Sequence, residues 1–139
     1  MFFNSADKRL NIGGRLRIRD FIEEIFKKEN KDLKRLDYVF CSDNYLLEIN
    51  KQFLNHNYFT DIITFDLSEK KGPVIGEIYL SVDRVKLNAV DYDTSMKKEL
   101  LRVIFHGALH LCGYKDKKKA DMILIRKKED EYLYLFLDK

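Results

Sequence analysis

Two of the chain's three histidines stand four residues apart, in His106-Gly107-Ala108-Leu109-His110, inside a segment whose apolar residues recur at helical spacing. On an α-helix, positions i and i+4 project from one face about one turn apart, so both imidazoles can reach a common point. Gly113 follows three residues later and can take the left-handed conformation that ends a helix. The turn it allows carries Asp116 back toward the face that bears the histidines. A fold for this chain therefore has to include a helix through 106–110, a turn at 113, and a polar group folded back on that helix.

Two neutral imidazoles and a carboxylate, with one coordination position left open, suit a catalytic zinc ion. Zn2+, one per chain, is the expected cofactor on His106, His110 and Asp116, and Asp121 is a nearby substitute for the third ligand. Nickel or another divalent ion would accept similar donors. Cys112 lies two positions after His110, and on a helix that direction points away from the ligands. The competing reading is a helical histidine pair making ordinary hydrogen bonds; the Gly113 turn and the acidic residue ten positions after His106 favour the metal. In peptidases with an HExxH helix, a glutamate beside the first histidine acts as general base. Position 107 here is glycine, so a metallopeptidase-like hydrolase would lack its base, and no catalytic residue beyond the ligands can be named.

The chain has 139 residues, the size of one ordinary domain, and residues 1–139 are read as a single metal-dependent hydrolase domain. Lys and Arg number 26 against 23 Asp and Glu, a mildly basic balance that permits an acidic partner without demanding one. Two cysteines far apart in sequence fit a reducing compartment better than a disulfide scaffold. No apolar run approaches membrane-spanning length and no leader pattern opens the chain, so a cytoplasmic protein is expected. After Gly13-Gly14, Leu16, Ile18, Phe21, Ile22, Ile25 and Phe26 recur at helical spacing. Leu36 to Cys41 reads as a strand. Ser42-Asp43 caps a helix with the stripe Leu46, Leu47, Ile49 and Phe53. Asp61–Phe65 and Ile75–Leu80 read as strands that pair across the charged turn from Ser68 to Pro73. Helices are predicted over 82–91, 95–112 and 117–136. The order strand, helix, strand, helix, strand, strand, helices describes an α+β domain, a small mixed sheet of about four strands packed with about five helices.

His106, Gly107, Leu109, His110, Leu111, Gly113 and Tyr114 resemble the HGxLHLxGYDH hallmark of the YbeY family, bacterial rRNA maturation factors and single-strand-specific endoribonucleases. Ile49-Asn50 through Thr60-Asp61-Ile62-Ile63-Thr64-Phe65 resembles its LN...TDVLSF stretch, and Gly76-Glu77-Ile78-Tyr79-Leu80-Ser81 its GDIxIS strand. The resemblance covers about residues 40 to 116. It implies a cytoplasmic zinc nuclease that processes the 3′ end of small-subunit rRNA and serves ribosome quality control, with single-stranded RNA and the small ribosomal subunit as partners. Two departures stand out. The family's third histidine is Asp116 here and the residue before it is Lys115, so the ligand set becomes two nitrogens and one oxygen. The family's arginine in the LN stretch aligns with Leu54, whose side chain cannot take over a cationic role.

Candidate RNA-binding residues are Lys51, His56, Lys115 and Lys117, with Lys118 and Lys119 extending the basic run. Each also reads as an exposed residue of a solvated helix or loop. Tyr58 and Phe59 can stack on unpaired bases, and Phe59 also reads as a buried loop anchor. A zinc ion with ammonium groups beside it would stabilise the charge that builds on phosphate oxygens during phosphodiester cleavage. The rival from another class is a non-catalytic ribosome-assembly factor braced by zinc, which the leucine at position 54 favours.

Overall fold

The computed structural model describes residues 1–10 and 12–138. Along the chain run β1 (Phe2–Ser5), α1 (Arg15–Lys28), β2 (Leu33–Cys41), α2 (Asp43–Leu54), β3 (Ile62–Asp66), β4 (Val74–Ser81), α3 (Val82–Asp91), α4 (Met96–Leu111) and α5 (Lys119–Leu137). The strands form one mixed sheet in the order β1-β2-β4-β3. β1 and β4 both run parallel to β2, and β3 returns antiparallel to β4, with Ile63 opposite Tyr79. This is the α+β class expected, with four strands and five helices.

Local chemistry sets the helix starts. Ser42, Ser81 and Ser95 each accept the backbone N–H three residues on, which supplies one of the orphan donors at the start of α2, α3 and α4. Ser81 ends β4 and caps α3, so strand passes into helix without a loop.

Alternation along β2 and β4 divides the core. Leu36, Tyr38, Phe40, Ile78 and Leu80 point to the face covered by α1 and α4, while Cys41 and Ile63 point to the other, beneath Leu46 and Ile49 of α2. Two glycines let α4 lie close on the sheet. A Cβ on Gly76 of β4 would stand 2.4 Å from Leu111 Cδ1, and one on Gly107 would stand 2.8 Å from Ile78 Cδ1 and 3.0 Å from Ile62 Cδ1. Gly107 is thus a packing residue that faces the sheet.

Several boundaries move from expectation. β2 begins at Leu33, three residues early, because Lys34 and Arg35 lie on the exposed start of the strand and hide its alternation. α5 begins at Lys119, with the preceding lysines still in the turn. Leu16 is 67% exposed, since two residues of helix place it about 200° from Ile18. Phe53, 64% exposed, sits in the last turn of α2, where its ring lies edge-on to Phe65 of the edge strand, at 6.0 Å. No described helix is long and apolar enough to cross a membrane.

Candidate metal centre

Within residues 100–111, α4 is buried at every position except Arg102, His106 and His110, spaced four apart. They form the one partly open stripe of that stretch. At its end the helix closes in a Schellman turn: Tyr114 N–H donates to Leu109 O and Gly113 N–H to His110 O, with Gly113 at φ 107°. The turn carries the backbone carbonyl of Tyr114 to 2.9 Å from His110 Nδ1 and brings Asp116 over the histidines.

His106 Nε2 lies 2.9 Å from His110 Nε2; Asp116 Oδ2 lies 3.4 Å from the first and 3.1 Å from the second. Four ligands at zinc bond lengths of 2.0–2.1 Å stand roughly 3.3 Å apart at the corners of a tetrahedron. The triangle matches one face of such a figure. Its second test is protonation. A carbonyl only accepts, so His110 Nδ1 carries the hydrogen given to Tyr114 O. The buried carboxylate of Glu129, whose Oε2 lies 2.6 Å from His106 Nδ1, sets the same tautomer there. With Nδ1 so engaged, the Nε2 atoms of both rings face one another and a carboxylate oxygen, a set of donors that a cation could gather. His106, His110 and Asp116 are the one group among the described residues whose donor atoms are gathered in this way.

Glu129, from α5, is 3% exposed and is held by Arg102, whose Nη1 lies 3.2 Å from Oε1. Burial by itself would favour neutral His106, but the hydrogen bond and charge of Glu129, then the charges of Asp116 and Asp61, hold its pKa above the ordinary value. A second carboxylate braces the turn. Glu29, at the C-terminal end of α1, accepts Tyr114 Oη at 2.7 Å through Oε1 and the Tyr132 hydroxyl through Oε2.

His106 and Asp116 open on a cleft of about 520 Å³ whose polar lining includes Asp61, Asn88, Arg126 and Glu129 and whose apolar lining includes Ile62, Met122 and Ile125. Asn88 Nδ2 donates to Asp61 Oδ2 at 3.2 Å, and burial holds the Asp61 carboxyl above the usual carboxylate range.

The four candidate RNA-binding residues lie away from this lining. Lys51 is exposed on α2 and pairs with Glu48 at 3.5 Å; His56 stacks on Tyr58 in the loop after α2; Lys117 is exposed in the turn before α5. Lys115 and Lys118 border a different depression, with Glu29, Cys112 and Asp121. Asp121 and Cys112 therefore stand off the metal triangle, and Cys112 is buried with its thiol pushed up to about 12 by burial. Phe59 is 48% exposed, so it anchors no core. Sequence reasoning missed Glu129, Arg126, Asn88 and the placement of Asp61 in the cleft. Glu129 lies in a Lys127-Lys128-Glu129-Asp130-Glu131 run that reads as a solvated face; the one signal is its spacing of four from the buried Ile125.

The chain is similar to known proteins over most of its length. The family model for Endoribonuclease YbeY matches residues 3–136. An endoribonuclease YbeY of Cytophaga hutchinsonii is 48% identical over 135 residues, covering 97% of this chain and 94% of the relative. One from Flavobacterium psychrophilum is 50% identical over 117 residues, covering 84% and 83%. The solution structure of a Thermotoga maritima protein superposes with a TM-score of 0.66 at 34% identity, covering 96% of this chain and 89% of that one. A match that runs through all four strands and five helices, with the His106 to Asp116 turn inside it, makes this chain a member of the Endoribonuclease YbeY family.

Proposed function

We propose that residues 1–139 form one metal-dependent endoribonuclease domain that cuts single-stranded RNA in the cytoplasm during maturation of ribosomal RNA at the small subunit, with zinc held by His106 Nε2, His110 Nε2 and Asp116 Oδ2. The observation that carries the reading is the convergence of three donor atoms, none more than 3.4 Å from another, beside a cleft that His106 and Asp116 line. The relatives' shared name, endoribonuclease, supports RNA as the substrate class.

His106, His110 and Asp116 would hold the ion, which would supply Lewis-acid chemistry to the phosphodiester. Glu129 and the Tyr114 carbonyl fix the two imidazoles in the tautomer that leaves each Nε2 free. Arg126, whose side chain is 54% exposed at the cleft, is placed to meet charge building on the phosphate oxygens, and so takes the cationic part that Leu54 leaves open. Asp61 faces the same cleft as a half-buried carboxylate whose pKa burial raises, and it could accept a proton from the attacking water. A peptidase reading finds no room for its glutamate, because a side chain at position 107 meets Ile78 and Ile62.

The test is cleavage of a single-stranded RNA by purified, zinc-restored protein. Wild type cuts, a chelator stops it, and His110→Ala lowers the rate at least 100-fold. Cutting by His110→Ala at the wild-type rate contradicts the reading. Wild type that binds zinc and never cuts favours the assembly-factor alternative, in which the ion only braces the fold.

A further inference from the structure

Residues 51–59 are exposed without a break, and they include Phe53, Leu54, His56, Tyr58 and Phe59. A run this apolar at the surface is costly to leave in water and marks a contact site more often than chance exposure. It is also tied to a buried side chain beneath it. The side chain of Asn50, only 2% exposed, donates Nδ2 to the Tyr58 carbonyl at 3.0 Å, while the Asn50 carbonyl accepts His56 N–H at 3.0 Å. Asn55 takes a left-handed conformation, φ 55°, that ends α2 and turns the chain back over Asn50. On this pinned loop the His56 and Tyr58 rings lie 5.1 Å apart and within 21° of parallel, joined by a 2.9 Å bond between Tyr58 Oη and His56 Nδ1. Tyr58 remains 56% exposed. Next to it the Arg84 guanidinium, anchored on Asp43 at 2.8 Å, covers Phe59 at 5.4 Å from the ring centre.

A buried amide spent on ordering an exposed ring pair is explained by what lands on the rings. We infer that Tyr58, backed by His56, is a stacking platform for an unpaired base of the RNA strand whose backbone enters the metal cleft, with Arg84 beside Phe59 as its cationic neighbour. Position supports the assignment. Asp61, three residues after Tyr58, already lines the cleft, so the two Cα atoms stand no more than roughly 11 Å apart, close enough for one strand to reach both. Stacking on aromatic rings next to a guanidinium grips single strands without regard to base identity, and a duplex hides the faces it needs. Preorganisation by Asn50 removes the cost of ordering the rings at the moment of binding. The platform rests on the reading of this chain as an RNA enzyme, and it adds where the strand is held.

Binding separates the two. Fluorescein-labelled oligouridine and oligoadenosine decamers, and a duplex of the same length, are titrated into the full-length chain in the presence of chelator, so that nothing is cut. Tyr58→Ala is expected to bind both single strands about tenfold more weakly, Tyr58→Phe to bind within twofold of wild type because the ring is kept, and duplex binding to stay unchanged. Tyr58→Ala melting at the wild-type temperature shows that the loss is local. Tyr58→Ala binding single strands as wild type does, or losing single strand and duplex alike, overturns the platform and leaves the patch to a protein partner. Loss of metal-dependent cleavage with this binding intact would count against the metal reading alone.

Discussion

At the scale of single residues, Glu129 has the most specific task. It fixes the His106 tautomer, it is almost wholly buried, and Arg102 neutralises it. Partners of this kind commonly contribute 10–100-fold to metal affinity. Glu129→Ala is expected to weaken zinc binding by about that factor, measured by competition with a chromophoric chelator, while Glu129→Gln, which still accepts from His106 Nδ1, loses less. Equal loss in both variants would point to general disruption of α5. Gly107 makes a different prediction. Its added Cβ would meet two isoleucine side chains, so Gly107→Ala should cost about 1–3 kcal/mol in denaturant unfolding, as overpacked cores do. The convergence of His106, His110 and Asp116 was legible in the sequence because helical spacing and a glycine turn are local rules. Glu129 was not, because it reaches the site from another helix and lies 23 residues beyond His106.

At the scale of elements, the Schellman turn after α4 is held from outside by α1. Glu29 takes hydroxyl hydrogen bonds from Tyr114 and Tyr132, one on the ligand turn and one on α5. Burial pushes its carboxyl up, but the hydrogen bonds from Tyr132 and Tyr114 and the charge of Lys128 outweigh this and hold it below the ordinary 4.5. A carboxyl depressed in the folded state stabilises the fold above its unfolded pKa. That stabilisation is lost as pH falls through the lower folded value. Glu29→Gln should therefore melt below wild type at pH 7, and the gap should close as pH drops beneath 4.5. A gap unchanged down to pH 3 would rule the carboxylate out as its source. The helices were legible from 3.6-residue periodicity and, for α2, the Ser42 cap, and α3 matches its expected 82–91 span. The pairing of β1 with β2 was not, because four mostly exposed residues show no alternation and their partners lie 35 positions away.

At the scale of the molecule, the sheet and α4 form the platform, and α1, α3 and α5 bring Glu29, Asn88 and Glu129 to the helix that carries the ligands. If these side chains hold the proposed metal, its binding and the folding of the chain are one equilibrium. At a free zinc concentration a hundred times the dissociation constant, the fold should gain about 2.7 kcal/mol, and chelation should lower the melting temperature of one cooperative transition. Two separate transitions would contradict a single domain over 1–139. The strand order was not readable from the chain, since parallel pairing of β2 with β4 joins segments separated by two other elements. Most direct is a zinc titration of the metal-stripped protein by calorimetry, with His106→Ala, His110→Ala and Asp116→Ala beside it. The expected result is one zinc per chain in wild type and an affinity at least tenfold weaker in each variant. Wild type without a saturable site, or variants that bind as wild type does, would contradict a cation held by these three side chains.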